Sequence, residues 1–565
     1  MRKLTFLSLA AASALVLTSC SKLGPLSADN VTVTPTPLEA VGGEVPATIN
    51  ATFPEKYMKK KATVTVTPVL KYEGGEVTSA SSTFQGEKVQ GNGTAVPYKA
   101  GGNYTMRATF PYNEAMQQSD LYLRFDAKMG KKAVALPDVK VGYGVIATSD
   151  LLRYTLGSVN PAMAPDAYQR IIKQKQEAQI KYLVNQANIR ASELKTTSIQ
   201  DFAKILKEIN DNQETLKLQN IEVSAYASPE GRYDFNEKLA EKRQNTSSSF
   251  VSDELKKNKM QADVDTKFTA EDWDGFQQLV STSTIQDKDI ILRVLSMYDD
   301  PAERETQIRN MSVVYDELAK GILPELRRAR LIANYDVIGR SDEQIQQQFQ
   351  SDAKELSIEE FLYGANLQSN NQQKKQWYEQ AAQLYSNDAR VFNNLANLAY
   401  QNGDLAAAAS YLQKAKSLNA GSAEVATNEA LLALAKGDVA AAETAIGKGT
   451  GANAYNEVLG NLNLAKGNYA AAAANLTGVN TNSAALAQIL NKDYAAASKT
   501  LSRIKNADAY TSYLSAILGA RQGDAEAVVS GLKSAIQQNP SLATRAAKDL
   551  EFEKYAAQIA GLLAQ

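Results

Sequence analysis

Residues 398–412, LAYQNGDLAAAASYL, decide the fold of the C-terminal part of the chain, because this pattern recurs. Later copies are LALAKGDVAAAETAI at 432–446, LNLAKGNYAAAAANL at 462–476 and ILGARQGDAEAVVSGL at 517–532. In each of these four copies, a Gly-Asp or Gly-Asn pair separates two segments that are rich in alanine and leucine. Alanine and leucine favour helix, while glycine followed by aspartate or asparagine is typical of one helix ending and another beginning. The pattern predicts repeated helix–turn–helix units.

The turn recurs with a nearly constant period. It falls at Gly403, Gly437, Gly467 and Gly523, with Lys492-Asp493 as a degenerate copy, so the intervals are 34, 30, 25 and 31 residues. A period near 34 with two helices per unit resembles the tetratricopeptide repeat (TPR) family, and the resemblance covers residues 357–565. It implies small or apolar side chains where the two helices of a unit cross, because larger ones would push them apart. These positions are Ala396, Ala408, Leu412, Ala430, Ala442, Gly460, Ala472, Ala516 and Val528.

The resemblance also implies a binding groove. Repeats that cannot bury their apolar faces alone stack into a curved solenoid, whose concave side accepts a peptide of a protein partner. An asparagine side chain can donate to a backbone carbonyl and accept from a backbone amide. The candidate groove residues are therefore Asn393, Asn397, Asn428 and Asn461, with Asn463 beside them. The alternative is that these asparagines are solvated helix residues.

Residues 223–250, VSAYASPEGRYDFNEKLAEKRQNTSSSF, resemble part of the OmpA-like peptidoglycan-binding domain. We place this domain at residues 176–345, with a helical insertion at about 269–321. After a polar connector at 166–175, the pattern predicts strands at 180–189, 221–227 and 326–335 and helices at 198–212 and 233–256. This order favours a mixed sheet with helices on one face.

In that family, an aspartate and an arginine bind the ammonium and carboxylate groups of a peptidoglycan stem peptide by paired charges. The matching residues here are Ser228, Gly231, Asn236 and Arg243. Ser228 stands at the aspartate position and supplies no charge, so peptidoglycan binding depends on Glu230 or Asp234 replacing it. The alternative for Arg243 is a surface helix arginine paired with Glu237.

Between residues 31 and 155 the sequence alternates apolar and polar positions in short segments. Examples are VTVTP from 31, ATINATF from 47, ATVTVTPVL from 62, GNYTMRATF from 102 and LYLRFDAK from 121. Period-2 patterns rich in β-branched residues, separated by glycine pairs, predict strands. Their spacing favours a small antiparallel sandwich of the immunoglobulin-like kind, acting as a spacer or docking module.

The first residues have the features of a bacterial lipoprotein signal. Arg2 and Lys3 precede an apolar run from Leu4 to Leu17, which is too short to span a bilayer of about 30 Å. The run ends in Leu-Thr-Ser-Cys at 17–20, which resembles a lipobox. We expect a signal peptide at 1–19 and lipidation of Cys20. Residues 20–30 would then form a short lipidated N-terminal linker. By resemblance to bacterial lipoproteins, Ser21 after the cysteine implies the outer membrane. Residues 22–26 lack the acidic cluster associated with surface export in Bacteroidetes-type lipoproteins, so we expect the chain to face the periplasm.

Composition narrows the possible chemistry. The 565 residues include no histidine and one cysteine, which excludes His-based triads, Cys/His dyads, imidazole or thiolate zinc sites and disulfide frameworks. The 61 basic and 62 acidic residues balance, so overall charge does not favour nucleic-acid binding. The sequence predicts no catalytic residue, metal or cofactor.

Together these features predict a multidomain, non-enzymatic scaffold of the cell envelope. It would bind a protein partner through the repeat groove and peptidoglycan through the OmpA-like domain. Two alternatives stay open: a pure protein-interaction adaptor whose OmpA-like domain is degenerate, and a glycan hydrolase using two carboxylates about 5–10 Å apart.

Overall fold

The computed structural model describes residues 23–563 apart from Pro25, Gln286 and Met311. The chain divides into two compact units, unit 1 (Met1–Pro165 with Gln368–Gln565) and unit 2 (Asp166–Leu367). The expected signal peptide and the lipidation of Cys20 lie outside the described residues. Among the described helices, none combines the length and the apolar character that crossing a bilayer requires.

Unit 1 begins with two β-sheets. The first has the order β1-β3-β8, and the second has the order β2-β11-β9-β4-β6-β7, with β10 on β9 and β5 on β4. The strands are β1 (Val31–Thr34), β2 (Leu38–Glu39), β3 (Glu44–Phe53), β4 (Ala62–Tyr72), β5 (Gly75–Thr78), β6 (Ser82–Gly86), β7 (Thr94–Val96), β8 (Gly102–Pro111), β9 (Ser119–Met129), β10 (Lys132–Val134) and β11 (Val139–Ile146).

The long strands bury every second residue, as their sequences predict. In β3 the burial alternates along the whole strand, and β4 and β9 contribute their apolar faces to the same core. Ile49, Val64 and Leu121 are among the fully buried side chains of this core. The predicted antiparallel pairing is found for most strands, but not for all of them: β2 pairs with β11 and β6 with β7 in parallel.

A linker, here residues 147–165, follows β11 and contains the short helix α1 (Leu152–Thr155). It is the last part of unit 1 before the chain enters unit 2 at Asp166.

Unit 2 contains one four-stranded sheet, ordered β12-β15-β13-β14. Only β13 and β14 run parallel, and the other pairs are antiparallel. The strands are β12 (Ile171–Lys181), β13 (Leu216–Tyr226), β14 (Asp263–Thr269) and β15 (Arg328–Ile338). The helices are α2 (Thr197–Asp211), α3 (Tyr233–Lys257), α4 (Trp273–Thr282), α5 (Lys288–Met297), α6 (Pro301–Asn310), α7 (Ser312–Gly321), α8 (Leu323–Leu326), α9 (Asp342–Asp352) and α10 (Ile358–Asn366).

Helices α2 and α3 cover one face of this sheet. Phe202 and Leu206 of α2 and Val251 of α3 pack on Ile221 and Leu331 of the sheet. Helices α4 to α8 form the predicted insertion and have a separate core that includes Phe276 and Leu318.

The prediction of the first strand of unit 2 was wrong. Residues 171–181 form β12, whereas 166–175 was expected to be a connector and 180–189 a strand. The N-terminal half of β12 is exposed on both faces. It therefore lacks the apolar alternation that marks a half-buried strand.

The rest of unit 1 is helical. Its helices are α11 (Asn371–Leu384), α12 (Ala389–Gln401), α13 (Leu405–Leu418), α14 (Ala423–Ala435), α15 (Val439–Ile446), α16 (Tyr455–Ala465), α17 (Tyr469–Asn475), α18 (Asn482–Leu490), α19 (Tyr494–Leu501), α20 (Ala509–Gln522), α21 (Ala525–Gln538), α22 (Ser541–Lys548) and α23 (Ala556–Leu563). Helices α12 to α21 form consecutive hairpins, each centred on one copy of the repeated turn.

The repeated turn has the same geometry in every copy. Gly403, Gly437, Gly467 and Gly523 have φ between 77° and 81°, and Lys492 of the degenerate copy has φ of 63°. In four copies the aspartate at the turn caps the next helix; Asp404, for example, accepts a hydrogen bond from the Ala407 amide at 2.9 Å. Asn468, which follows Gly467, forms no side-chain cap. The sequence motif thus encodes a left-handed residue that ends one helix and a cap that begins the next.

The predicted crossing positions are buried between the helices. Ala408, Ala442, Ala472 and Ala516 are all at most 1% exposed. At Gly460 a Cβ atom would lie 2.6 Å from Cγ of Leu476, so only glycine fits there.

The sequence predicts separate domains at 31–155 and 357–565, whereas residues 31–155 and 368–565 lie in one compact unit, unit 1. Arg521 of α20 contacts Glu39 of β2 at 3.3 Å and Glu551 at 2.6 Å. Arg545 of α22 lies 3.6 Å from Asp150 of the linker. Ionic contacts between largely buried groups therefore join the sheets, the linker and the helices.

Candidate functional site

The linker packs against the first helices of the repeats, α12, α14, α16 and α18. Leu151, Leu156 and Val159 are at most 4% exposed and belong to the same apolar core as the helices. Hydrogen bonds also hold the linker against the helices. The Tyr400 hydroxyl donates to the Leu156 carbonyl at 2.9 Å, and the Thr155 and Ser483 hydroxyls lie 2.9 Å apart. The groove side of the repeats is therefore occupied by the chain itself.

Three of the predicted groove asparagines converge on Ala162. The side-chain amides of Asn393, Asn397 and Asn428 donate to the Ala162 carbonyl at 2.9, 2.8 and 2.8 Å. The Ala162 amide donates to Oδ1 of Asn428 at 2.7 Å. The Asn428 amide also donates to Oδ1 of Asn393 and of Asn397. Each asparagine is at most 4% exposed, so solvation does not account for them.

A fourth asparagine, Asn394, is not among the predicted groove residues and binds Ala164. Asn394 accepts from the Ala164 amide at 2.9 Å and donates to the Ala164 carbonyl at 3.0 Å. It stands next to Asn393, and this Asn-Asn pair was the available signal. The groove thus recognises backbone groups of an extended segment, Pro161–Pro165, with small side chains at 162 and 164.

Asn461, the remaining predicted groove residue, does not contact the linker in this way. Its side-chain amide donates to the Glu457 carbonyl one turn earlier at 2.8 Å, and its buried Oδ1 accepts no hydrogen bond among the described residues. Glu457 instead reaches the linker, accepting from the Asn160 amide at 3.3 Å. Burial raises the pKa of the Glu457 carboxyl, and the Asn160 amide opposes that rise. Asn463 bonds Asn475 on the next helix.

In unit 2, the predicted peptidoglycan-binding turn follows β13. The hydroxyl of Ser228 donates to Glu230 at 2.7 Å, and Glu230 also forms an ion pair with Arg327 at 2.7 Å. Glu230 is therefore close to the serine that stands at the aspartate position, but its charge is already paired. Asp234 is exposed and lies 3.6 Å from Arg232.

Asn236 and Gly231 maintain the shape of this turn. The Asn236 side chain donates to the carbonyls of Ser228 and Gly231, both at 3.3 Å. The Gly231 amide donates to Glu305 of α6 at 2.8 Å. A cavity of about 640 Å³ adjoins the turn, and its acidic lining consists of Asp234, Glu271, Asp300 and Glu305. The inserted helices thus bring carboxylates to the turn.

Arg243 is buried, and the expectation of a surface arginine paired with Glu237 is wrong. Its side chain is among the largest fully buried ones, at 1% exposure. The guanidinium donates to three backbone carbonyls, of Gln186 at 3.0 Å, Tyr226 at 2.9 Å and Leu183 at 3.2 Å. Burial lowers the pKa of Arg243 to about 10, so it remains charged near neutral pH. Its donors hold the loop after β12 to the end of β13.

Across the described residues, no three Cys, Asp or Glu side chains lie close enough together to hold a metal ion. No protein-family profile matches the chain. No curated protein sequence matches it either.

Several solved structures are similar to this chain at a low level. A tetratricopeptide repeat protein from Parabacteroides merdae is 15% identical, with a TM-score of 0.27, over 42% of this chain and 93% of that one. PilF of Pseudomonas aeruginosa is 16% identical, with a TM-score of 0.27, over 35% and 93%. Yeast Tom70 is 11% identical, with a TM-score of 0.23, over 66% and 83%. At these values none of them identifies the family of the chain.

Proposed function

We propose that this chain is a non-enzymatic scaffold lipoprotein of the cell envelope, whose repeat groove holds its own linker. The observation that carries the proposal is the asparagine cluster on Ala162. Its hydrogen-bonding groups are used within the chain, so the repeats act first as a clamp that joins the sheets, the linker and the helices of unit 1. Protein partners then bind outside this cluster.

The outer-membrane location and the anchor rest on the N-terminal sequence. Arg2, Lys3, the apolar run and Cys20 support lipidation at Cys20, with the chain facing the periplasm. Each buried CH₂ group of an attached acyl chain contributes about 0.8 kcal/mol, so two or more chains anchor a protein without a spanning helix.

For unit 2 we favour the adaptor with a degenerate OmpA-like domain over peptidoglycan binding. The Arg243 guanidinium donates hydrogen bonds to three backbone carbonyls. The Ser228 hydroxyl donates to Glu230, whose carboxylate already forms an ion pair with Arg327. A charged stem peptide would find neither of the family's two charged groups free. Peptidoglycan contact is the second candidate, because the cavity beside Gly231 is lined by four carboxylates against two guanidinium groups, those of Arg232 and Arg309, and this net negative charge suits an ammonium group.

A Cys20→Ser variant tests both parts of this proposal. We expect the wild-type chain in the membrane fraction and the variant in the soluble fraction, since serine cannot accept the lipid. The released variant, mixed with purified sacculi and centrifuged, should remain in the supernatant. Equal membrane retention of the two proteins would contradict the anchor, and co-sedimentation with sacculi would favour the peptidoglycan-binding candidate.

A further inference from the structure

Strand β12 forms one edge of the unit 2 sheet and is long and regular. It pairs with β15 without interruption over eleven residue pairs, from Ile171–Ile338 to Lys181–Arg328. It contains no proline, and Ile171 and Ile172 at its start are 55% and 41% exposed. Long edge strands with exposed apolar residues are templates for pairing with another strand.

The hydrogen bonds around β12 show which backbone groups face outward. The Tyr182 amide donates to the carbonyl of Arg327, just before β15, and the Gly339 amide after β15 donates to the Arg170 carbonyl. The Lys181 amide instead faces away and donates to Glu193. Because alternate residues of an antiparallel pair bond to the partner, the outward groups belong to the odd-numbered residues. Those of Lys173, Lys175, Glu177 and Gln179 form the outer edge.

The charges along this edge are self-complementary. If two copies of β12 pair antiparallel about a two-fold axis at Gln176, Lys175 lies opposite Glu177 of the second copy, and Glu177 opposite its Lys175. The same register places Ile172 opposite Ile180. Within one chain, Lys175 lies 2.5 Å from Glu177, and Arg330 of β15 lies 3.2 Å from Glu177. The carboxylate therefore already sits among basic groups on the open face of the sheet.

We propose that the outer edge of β12 is a self-association surface, at which two copies of this chain pair their β12 strands antiparallel and form a continuous eight-stranded sheet. The occupant is a second copy rather than an unrelated strand, because a two-fold antiparallel pairing places Lys175 and Glu177 of one copy directly opposite Glu177 and Lys175 of the other. The ladder runs from Lys173 to Gln179 and ends where Glu193 caps the Lys181 amide. This surface shares no residue with the groove or with Cys20, so its failure would leave the proposed function standing.

Charge reversal tests the pairing. By sedimentation velocity of the full-length protein in mild detergent, we expect the wild type to form a dimer as its concentration rises. Lys175→Glu and Glu177→Lys should each weaken dimerisation by about tenfold, because like charges then face each other at two symmetric positions. The double variant Lys175→Glu/Glu177→Lys should restore it. Lys267→Glu makes the same charge change on β14, the opposite edge strand, and should have no effect.

A proline variant provides a second test that does not depend on charge. The Lys175 amide faces away from β15, so Lys175→Pro removes an outward donor and keeps the internal ladder. It should abolish the dimer while the circular dichroism spectrum stays unchanged. A wild type that remains monomeric up to about 100 μM, where even a weak micromolar dimer would form, would overturn the proposal. A dimer that forms equally well in the Lys175→Glu and Glu177→Lys variants would also overturn the proposal.

Discussion

Replacing Asn428 by alanine should lower the free energy of unfolding of unit 1 by about 3–4 kcal/mol. The substitution removes the acceptor of the Ala162 amide and the donor to Oδ1 of Asn393 and of Asn397. All of these groups are buried, and each buried polar group left without a partner costs about 1–3 kcal/mol. The Ala162 carbonyl keeps the Asn393 and Asn397 donors, which limits the loss.

The two tryptophans make this measurable, because Trp273 lies in unit 2 and Trp377 in unit 1. In a Trp273→Phe background, denaturant unfolding followed by fluorescence reports unit 1 through Trp377. Asn461→Ala is the matched control, since it removes the same buried side chain from the same face. Among the described residues, the Asn461 side chain forms one hydrogen bond, to the Glu457 carbonyl, so its loss should cost only about 1 kcal/mol. Equal effects of the two substitutions would show that the linker is not held by Asn428.

Replacing Arg243 by alanine should destabilise unit 2 by about 3–5 kcal/mol. The buried guanidinium is removed, three partly buried backbone carbonyls lose a charged donor, and the packing of the guanidinium on the Tyr182 ring, 5.1 Å from its centroid, is lost as well. Arg243→Lys should give an intermediate loss, because a single ammonium cannot reproduce the geometry of the guanidinium.

Unfolding of unit 2 can be followed through Trp273 in a Trp377→Phe background. Lys242→Ala is the control, since Lys242 is the exposed neighbour on the same helix, and it should shift stability by less than about 0.5 kcal/mol. If Arg243→Ala behaves like Lys242→Ala, the guanidinium does not hold the loop to β13. Arg243 would then be available for a ligand, and peptidoglycan binding would again be the better hypothesis.

The repeat hairpins could be predicted from the sequence because their signal is local. Gly403 and its equivalents need a left-handed conformation, and the aspartate at four of the five turns caps the next helix. Both requirements act within a few residues, so both can be recognised from the local sequence. Even the degenerate copy at Lys492 keeps the left-handed conformation and the cap.

The contents of the groove could not be predicted in the same way. Asparagine chemistry indicated backbone recognition, but the recognised backbone is Ala162, which is separated from Asn428 by 266 residues. Nothing local in Pro161–Pro165 marks it as a bound segment rather than a connector. Arg243 is a similar case, because its carbonyl partners come from a loop and a strand end up to 60 residues away. Such long-range contacts leave no periodic trace in the sequence.

Hydrogen exchange of the linker amides tests the central claim most directly. Pro161 and Pro165 have no amide proton, so a peptide spanning them reports only Ala162, Met163 and Ala164 at its centre. In the full chain at neutral pH, we predict that the Ala162 and Ala164 amides exchange as slowly as those of α12 and α14, because each donates to a buried asparagine. Exchange of both amides at the rate of an unstructured peptide would contradict the account, since the groove would then be open.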